Sequence, residues 1–453
     1  MITASLTQLA AVLNGQLIGA DTAVSAVSTD SRHMPTDALF IALNGERFDA
    51  HDFAPQAVKS GAVALLVERH LELDVPQLLV ADTHLALGQL GAWVHQQCHT
   101  ETLAITGSCG KTTVKEMTAQ ILSAQGEVLF TAGNFNNDIG VPLTLLRSRP
   151  QDRFAVIELG ANHGGEIAYT TQLVKPSVAL VNNVAAAHLE GFGSLEGVKA
   201  AKGEIFQGLD AGQTAIINLD SQGGEMWDAI LADKIVKTFS LDNEHADYYA
   251  RDIRLDSEGK AHFCLHAPTT QFDVQLGLVG RHNVANALAA TALAMEFGAT
   301  VEQVQTGLQR VINAKGRVEV VALSGSVTLI DDSYNASVPA MKAAVDLLGN
   351  FGGERWLILG NMAELGHESL ALHRQVGEHA APFHFEHVLT FGDDAQVISE
   401  ICGGEHFSSH DSMIDYIEHH LAQQTKHSHT LLIKGANSAG MSRVAAALKE
   451  KFS

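Results

Sequence analysis

The sequence predicts an α/β protein of three domains, and three observations support this. With 453 residues, the chain has the length of about three average domains. Short apolar runs that are typical of strands alternate with helical stretches, which is the pattern of largely parallel sheets with crossover helices. A glycine-rich turn at residues 106–113 joins one such strand to a helix, as in folds that bind phosphate.

The composition is that of a folded, acidic protein. Hydrophobic residues make up 46% of the chain and charged residues 18%, which suffices for full-sized cores. The formal net charge of −22 argues against nucleic acid or an anionic membrane as a partner, because both attract basic surfaces. An anionic small molecule is compatible with this charge, since local lysines, arginines, helix N-termini and Mg²⁺ can bind phosphates.

The N-terminus and the cysteines favour a cytoplasmic protein. Residues 1–19 lack a basic segment, so we expect a folded helix there rather than a signal peptide. Apolar runs are too short to cross a bilayer, which predicts no membrane insertion. The cysteines Cys98, Cys109, Cys264 and Cys402 are isolated and have neither metal-site nor redox spacing, as expected in a reducing compartment. We expect a monomer by default.

Residues 1–82 are predicted to form a small N-terminal α/β domain. Its predicted helix and three strands are residues 5–13, 38–42, 62–67 and 77–80. The segment around Ser31 and Arg32 and the loop 44–53 combine polar turn residues with arginines, which could bind a diphosphate or a base edge. Loops that cap helices and solvate charge explain the same residues equally well.

Residues 83–313 are predicted to form the central domain, a phosphate-loop-type and mostly parallel sheet with flanking helices. Its strand candidates are residues 103–105, 154–159, 178–182 and 215–218. The pattern of residues 248–278 changes to alternating segments, which predicts an antiparallel extension of the sheet. The alanine-rich stretch 283–297 predicts a long helix that allows close packing.

The glycine-rich turn is the first candidate binding site. The unpaired N–H groups at the start of the following helix would face a phosphate, while the glycines let the backbone approach it. Lys111 would reach the β- and γ-phosphates of ATP, and the Thr112 hydroxyl would hold Mg²⁺. The alternative is an ordinary glycine-rich turn with a solvated lysine. The predicted nucleotide-binding residues of this turn are Gly107, Ser108, Cys109, Gly110, Lys111, Thr112 and Thr113.

Cys109 lies inside this turn, near a helix N-terminus and Lys111, an environment that lowers the pKa of a thiol. We therefore predict that alkylation of Cys109 inactivates the protein and that MgATP protects it. The alternative is a buried, unreactive thiol.

Three further residues of the central domain follow or lie near predicted strands. Glu158 ends an apolar run, and an acid at the carboxyl end of a parallel strand can reach Mg²⁺ on a bound nucleotide. His188 follows the next strand and is predicted either to contact metal or phosphate or to be structural. Lys202 lies in a helical stretch and has, on its own, the pattern of an ordinary surface lysine.

Two segments contain clustered asparagines. Asn134, Asn136 and Asn137 offer amide donors and acceptors to a polar substrate, although a turn with left-handed backbone is the alternative. Asn283 is a plausible N-cap of the alanine-rich helix. Asn286 could instead contact an adenine edge.

Residues 314–453 are predicted to form a C-terminal, Rossmann-like α/β domain. Its strand candidates are residues 327–330, 356–359, 388–391 and 431–433. Near the junction with the central domain, Arg317 could neutralise developing phosphoryl charge, and an aspartate in the segment 331–335 could bind ribose hydroxyls. The loop 434–440 could bind a further anion.

In their order along the chain, these motifs resemble those of the Mur ligases, ATP-dependent enzymes that form amide bonds in peptidoglycan synthesis. The resemblance covers essentially the whole chain and includes this family's short phosphate loop, Thr-Gly-x-x-Gly-Lys-Thr, at residues 106–112. Residues 158–167 and 359–366 resemble the branch that adds D-alanyl-D-alanine to UDP-N-acetylmuramoyl-tripeptide, rather than the sister enzymes that add single amino acids.

The resemblance implies a catalytic and metal-binding set. Lys111 and Thr112 would bind the phosphates and Mg²⁺, with Glu158 and His188 as further metal contacts. Lys202 matches a lysine that is carbamylated in related ligases, and as a carbamate it would support a second Mg²⁺. Lys111, Lys202 and His188, together with Arg317, would be the catalytic residues.

The resemblance also implies the nucleotide and substrate contacts. His282, Asn283 and Asn286 match an adenine-side motif, while Arg317 would lie near the phosphates and Asp331 near the ribose. Asn134, Asn136 and Asn137 would face the muramoyl-peptide. Ser31, Arg32 and the loop 44–53 would hold the UDP moiety. Lys434 and Ser438 would face the active site from the C-terminal domain.

The implied reaction uses ATP to convert a carboxylate into an acyl phosphate, which the incoming amine attacks. Closure of the third domain onto the central one would exclude water that hydrolyses the acyl phosphate. The alternatives are another ligase of the superfamily, namely a single-amino-acid-adding Mur enzyme or a folylpolyglutamate synthase, and a phosphate-loop NTPase acting as a switch or motor. An inactive nucleotide-binding module is disfavoured by the presence of both Lys111 and Glu158.

Overall fold

A computed structural model describes residues 1–45, 48–311, 315–423 and 427–452. Over these residues the chain forms four β-sheets, of two, five, nine and six strands, and the predicted α/β class is confirmed. The predicted boundary between residues 313 and 314 lies outside the described residues, as do Glu46 and Arg47 of the loop 44–53. Both domain boundaries stay predictions.

The N-terminal part contains a five-stranded sheet and a separate two-stranded ribbon. The strands and helices are β1 Ala4–Ser5, α1 Leu6–Val12, β2 Gln16–Ile18, β3 Ala23–Val24, β4 Ala26–Ser28, β5 Ala38–Ile41, α2 Ala54–Lys59, β6 Ala64–Val67 and β7 Gln77–Leu79. The larger sheet has the order β2-β7-β6-β5-β4, with only β2 antiparallel to its neighbour. Ser31 follows β4 and the loop 44–53 follows β5, so both candidate segments leave the carboxyl ends of adjacent parallel strands.

The central part contains the largest sheet. Its elements are α3 Thr83–Cys98, β8 Glu101–Thr106, α4 Lys111–Leu122, β9 Glu127–Phe130, α5 Gly140–Leu145, β10 Asp152–Glu158, α6 Glu166–Val174, β11 Val178–Val181, α7 Leu189–Phe192, α8 Leu195–Gly203, β12 Thr214–Asn218, α9 Asp228–Leu231, β13 Ile235–Ser240, β14 Tyr248–Leu255, β15 Lys260–Ala267, β16 Thr270–Val279, α10 His282–Glu296 and α11 Val301–Arg310.

The strand order of this sheet is β16-β15-β14-β13-β12-β11-β8-β10-β9. The strands from β9 to β14 are parallel, and β15 and β16 are antiparallel, as the sequence pattern of residues 248–278 predicts. Leu103 and Ile105 pack on the face covered by α4 and α10, whereas Ala104 packs on the opposite face. Helices on both faces explain why the central strands are apolar without interruption.

Helix α3 links the central part to the N-terminal sheet. Asp82 caps it, because the carboxylate accepts hydrogen bonds from the backbone N–H groups of His84 and Leu85. Leu87 and Leu90 of this helix belong to the hydrophobic cluster of the N-terminal sheet.

The C-terminal part contains a six-stranded sheet in the order β17-β18-β22-β19-β20-β21, parallel except for β17. Its elements are β17 Glu319–Ala322, β18 Val327–Asp332, α12 Val338–Gly349, β19 Glu354–Gly360, α13 Ser369–Ala380, β20 His387–Phe391, α14 Gln396–Cys402, β21 Glu405–Phe407, α15 His410–Gln423, β22 His429–Lys434 and α16 Met441–Lys451. The short 3-10 helices of the chain are Ala50–Phe53, Glu204–Gly208, Gly224–Trp227, Gly366–Glu368, Ala381–Phe383 and Asn437–Ala439.

One hydrophobic cluster, which we call the shared cluster, joins the central and C-terminal parts. Leu189, Val198 and Val279 of the central part are buried in it together with side chains of β18, β19, α12 and α13. The two parts are therefore docked on each other through apolar contacts and not only across a polar surface.

Candidate active site

A cleft of about 980 Å³ lies between the central and C-terminal sheets. Residues at or beyond the carboxyl ends of β8, β10, β11 and β12 line one side, and residues that follow β18, β19 and β22 line the other. In open α/β sheets, ligands bind at this edge of the strands. The cleft thus combines the binding edges of two sheets.

The glycine-rich turn lies in this cleft, where Ser108–Thr113 form part of the wall. Gly110 has a φ of +76° and caps α4. A Cβ atom at Gly110 would lie 2.5 Å from Oδ1 of Asn286 and 2.6 Å from Nδ2 of Asn182, so only glycine fits there. The N–H groups of the first turn of α4 follow directly, and this arrangement is typical of loops that bind anions.

Two asparagines hold the loop in shape. The backbone N–H of Cys109 donates to Oδ1 of Asn183 over 2.8 Å, and the carbonyl of Cys109 accepts from the amides of Asn182 and Asn183 over 3.0 Å each. Neither residue is among those that the sequence predicts to act in the site. The available signal was their position at the carboxyl end of 178–182, the strand that pairs with the strand of the loop itself.

Lys111 is the first residue of α4 and lines the cleft. Its Nζ donates to the carbonyl of Gly107 over 2.8 Å. Burial lowers the pKa of the Lys111 ammonium group, and the nearby Glu158 carboxylate opposes this shift. The side chain folds back over its own loop, so its charge is held where phosphates would bind.

Glu158 is buried and hydrogen-bonded on both carboxylate oxygens. Oε2 accepts from the Thr112 hydroxyl over 2.9 Å, and Oε1 accepts from Nδ2 of Asn136 over 2.8 Å. The fully buried Lys115 supports this arrangement, because its Nζ donates over 2.7 Å to the carbonyl of Thr131, whose hydroxyl accepts from the Glu158 N–H over 2.9 Å. A carboxylate and a hydroxyl beside a phosphate site are the hard oxygen ligands that fit Mg²⁺.

His188 reaches across the cleft. It caps the short helix α7, and its Nδ1 is hydrogen-bonded to Oε2 of Glu364, which follows β19 in the C-terminal part. Burial lowers the pKa of His188, and the Glu364 carboxylate opposes the shift. Glu364 is not among the site residues that the sequence predicts.

Lys202 is buried, not on the surface as its local pattern indicates. Its Nζ lies 5.2 Å from the centroid of the Phe192 ring, and burial lowers the pKa of the ammonium group to about 7, with Lys111 contributing to the shift. The residue is not among those that line the cleft.

Of the residues predicted on the adenine side, Asn283 differs from its predicted role as the N-cap of α10. Asn283 is not an N-cap, because α10 begins at His282 and the Asn283 amide donates to the carbonyl of Val279 over 2.8 Å. Asn286 donates to Oδ1 of Asn283 and accepts from Asn182, so both ends of its amide already have partners. His282, Asn283 and Asn286 nevertheless line the cleft.

On the C-terminal side of the cleft, Arg317 lies where the sequence predicts it, whereas Asp331 does not. The Arg317 guanidinium lies 4.2 Å from the centroid of the Tyr334 ring and lines the cleft. Asp331 does not line the cleft, because its carboxylate pairs with Lys449 over 2.7 Å and accepts from the Ser333 hydroxyl. Successive residues of a strand point to opposite faces, so the neighbouring Asp332 lines the cleft instead.

Asp332 is paired within the cleft wall. Its Oδ2 accepts from Nζ of Lys434 over 2.6 Å, and Nζ also donates to the carbonyl of Asn335 over 2.9 Å. Lys434 and Ser438 both line the cleft, and the anion-binding role of their loop stays a prediction.

The predicted substrate residues are brought together only in part. Asn134 and Asn136 line the cleft, but Asn136 is bound to Glu158. Asn137 does not line it and accepts from the backbone N–H of Gly140 at the start of α5. Ser31 and Arg32 lie outside the cleft, with Arg32 paired to both carboxylate oxygens of Asp30 over 2.9 Å.

The structure contradicts the expected acidity of Cys109. Burial raises the pKa of its thiol, and the opposing effects of Lys111, the Asn183 hydrogen bond and Lys434 are smaller. Burial disfavours the charged thiolate, and here this effect is larger than the stabilisation that Lys111 provides.

We therefore predict slow alkylation of Cys109 at pH 7, with a rate that rises as the pH is raised through and above 9. Peptide mapping by mass spectrometry after timed iodoacetamide treatment measures the rate, with Cys109→Ser as the blank. Bound MgATP should protect the thiol. Labelling at pH 7 that is faster than that of free cysteine would contradict this expectation.

Sequence models of three Mur ligase domains match the chain: the Mur ligase family catalytic domain at residues 23–96, the middle domain at 105–294 and the glutamate ligase domain at 316–437. The chain is also 51% identical over 451 residues to the UDP-N-acetylmuramoyl-tripeptide–D-alanyl-D-alanine ligase of Escherichia coli strain K12, with 99% of each chain covered. The chain belongs to the Mur ligase family.

Other Mur ligases agree over the same length. The enzyme of the same name from Haemophilus influenzae is 46% identical, with all of both chains covered. A crystal structure of MurF from Acinetobacter baumannii superposes with a TM-score of 0.94 at 35% identity, covering 99% of this chain and 100% of that one. MurF from Thermotoga maritima, solved in complex with ADP, superposes with a TM-score of 0.83 at 26% identity, covering 94% of this chain and 97% of that one.

The folylpolyglutamate synthases, which are among the predicted alternatives, are similar to this chain in fold alone. A folylpolyglutamate synthase from Mycobacterium tuberculosis has a TM-score of 0.64 at 15% identity, covering 81% of this chain and 95% of that one. Among the described residues, no helix combines the length and the apolar character needed to cross a membrane.

Proposed function

We propose that this chain joins D-alanyl-D-alanine to UDP-N-acetylmuramoyl-tripeptide, using ATP and Mg²⁺ and passing through an acyl phosphate. The observation that carries the proposal is the 51% identity, over 99% of both chains, to an Escherichia coli ligase named for these two substrates. The cleft supports it, because it places a phosphate loop, a buried carboxylate and cationic side chains of two sheets around one cavity. We place the enzyme in the cytoplasm and expect a monomer.

The phosphate loop would bind the ATP phosphates. The N–H groups at the start of α4 and the Lys111 ammonium would stabilise negative charge on the phosphoryl group as it moves to the substrate carboxylate. Because asparagines already hold the loop in shape, its donors need not rearrange on binding.

Thr112 and Glu158 would hold Mg²⁺, with His188 and carbamylated Lys202 as the further contacts that the family resemblance implies. The metal, when bound, neutralises phosphate charge. Glu158 is preset for this task, because Asn136 and Thr112 each hold one oxygen of its carboxylate before any ligand arrives. The bond from its backbone N–H to the Thr131 hydroxyl fixes the main chain at the same position.

The C-terminal part would complete the site. Arg317, held against Tyr334, would neutralise phosphoryl charge. Asp332, which lines the cleft, would take the ribose role that the family resemblance gives to Asp331. His282, Asn283 and Asn286 would form the adenine side, where Asn283 and Asn286 mainly shape the pocket because their amides are already bonded.

The remaining substrate contacts lie at the cleft edge and in the N-terminal part. Asn134 would face the muramoyl-peptide, and Ser31, Arg32 and the loop 44–53 would hold the UDP moiety. The carboxyl ends of β4 and β5 are adjacent, which supports a common site for these two segments.

The test is phosphate release from MgATP with UDP-N-acetylmuramoyl-tripeptide, with and without D-alanyl-D-alanine. We expect release only with both substrates, together with a product that mass spectrometry shows to be heavier by one dipeptide residue, that is, by D-alanyl-D-alanine less one water. Release with ATP alone would favour an NTPase. Turnover with a single amino acid or with glutamate, but not with the dipeptide, would replace the substrate and keep the mechanism.

Lys202 provides a pH-dependent prediction. Because its pKa is lowered to about 7, most of the amine is neutral at pH 8, whereas an ordinary lysine stays protonated. The neutral amine can add to CO₂, forming an N–C bond and releasing one proton, so carbamate formation should increase as the pH rises from 6 to 8.

A carbamate signal in ¹³C NMR with ¹³C-bicarbonate measures this reaction. Lys202→Arg should abolish the signal, while Lys199→Arg on the same helix, a partly exposed residue beside Glu196, should retain it. A signal that persists in Lys202→Arg would show that another group is modified.

A further inference from the structure

Glu364 forms two hydrogen bonds across the cleft, one with the side chain of His188 and one with the backbone of Glu190. The Glu364 carboxylate is bonded to Nδ1 of His188, and the Glu364 carbonyl accepts from the backbone N–H of Glu190 over 3.1 Å. One residue of the C-terminal part is thus bonded, through its side chain and its backbone, to helix α7 of the central part.

Both residues have a backbone conformation that non-glycine residues rarely adopt. The φ angle is +53° at His188 and +60° at Glu364. Such conformations persist where the surrounding structure holds them, and they concentrate at functional sites. Here the holding element is the shared cluster, because the next residue on each side, Leu189 and Leu365, is buried in it.

The chemistry of the pair fixes one tautomer of His188. An ionised carboxylate can only accept hydrogen bonds, so a neutral imidazole must donate its Nδ1 proton to Glu364 and keep a lone pair on Nε2. Carboxylates that bind one ring nitrogen in this way orient histidines that use the other nitrogen as a ligand. His188 lines the cleft, where that second nitrogen would be used.

We propose that Glu364 is a positioning residue, which accepts the Nδ1 proton of His188 from the opposite side of the cleft and so keeps Nε2 free as an acceptor or ligand. The proposal rests on the proposed function, in which His188 contacts the metal or the phosphates. It adds a residue of the C-terminal part to those that prepare the site for catalysis.

The direct test is ¹⁵N NMR of the His188 ring in the full-length protein without ligands, with the signal assigned by its loss in His188→Gln. We expect the Nδ1–H tautomer in the wild type and in Glu364→Gln, whose amide oxygen still accepts, and a shift to Nε2–H in Glu364→Ala. Glu368→Ala, an exposed glutamate of the same segment, is the control and should match the wild type. An Nε2–H wild type, or an unchanged tautomer in Glu364→Ala, would overturn the proposal.

Ligase kinetics provide the second test. We expect Glu364→Ala to lower kcat about 10- to 100-fold while KM for ATP changes little, and Glu364→Gln to restore most of kcat. Equal kcat in Glu364→Ala and the wild type would overturn the proposal, as would equal losses in the Ala and Gln variants.

Thermal melting separates positioning from stability. If Glu364→Ala melts early, Glu364→Leu, which keeps much of the side-chain volume and still lacks an acceptor, replaces it as the test variant in both measurements. Absence of any ligase activity in the wild type would instead refute the proposed function, and the ¹⁵N measurement on the ligand-free protein would still decide the role of Glu364.

Discussion

Replacing Lys111 with methionine is expected to lower kcat about 10²- to 10³-fold, the effect of removing one charge-stabilising donor from a preorganised site. Methionine keeps most of the length of the side chain, so α4 should still form and the loop should keep its backbone bonds to Asn182 and Asn183. What is lost is the ammonium group, which the structure holds against the carbonyl of Gly107 within the phosphate loop.

The measurement is the rate of phosphate release at saturating substrates, with ADP affinity from calorimetry beside it. Lys175→Met, at the exposed C-terminal end of α6, is the matched control and should behave as the wild type. A Lys111→Met enzyme with more than about a tenth of the wild-type kcat would mean that the backbone N–H groups alone suffice for phosphoryl transfer, against the magnitude expected for such a donor.

Replacing Arg317 with alanine is expected to lower kcat about 10³-fold, because an arginine that stabilises a transferring phosphoryl group contributes on this scale. Arg317 comes from the C-terminal part and faces a phosphate loop of the central part, so its charge reaches the site only while the two parts are docked. Arg317→Lys should recover only part of the loss, since lysine keeps the charge without the planar stacking on Tyr334.

Single-turnover kinetics distinguish the possible origins of this effect. If Arg317 acts in phosphoryl transfer, the chemical step slows and nucleotide affinity changes less. Arg310→Ala, exposed at the end of α11, controls for loss of positive charge. A variant with normal kcat and a raised KM for ATP would assign Arg317 to ground-state binding only.

The sequence predicts most of the fold because its signals are local. Continuous apolar runs indicate the buried parallel strands. The turn between β8 and α4 is recognisable because its backbone conformation requires glycines at fixed positions. The Glu158 position follows from the same logic, since the end of a buried strand at the ligand edge is visible in the pattern.

The residues that sequence reasoning missed act through partners distant in the chain. Asn182 and Asn183 hold a loop 73 or 74 positions away, and Glu364 lies 176 positions from His188. Their roles depend on strand order and domain docking, which periodicity does not encode. The prediction that Asp331 lies in the cleft failed for a different reason. Asp331 and Asp332 are adjacent acids on opposite faces of β18, and the sequence at the end of the strand does not determine which of them faces the ligand.

The shared cluster has a consequence for how this protein unfolds. Chains of several domains often melt in separate steps, because each domain has its own core. Here, detaching the C-terminal part would expose Leu189, Val198 and Val279 of the central part to water, so the loss of one part lowers the free energy of unfolding of the other. Scanning calorimetry should therefore show these two parts melting in one overlapping transition, and a polar replacement such as Val198→Thr should separate it into two.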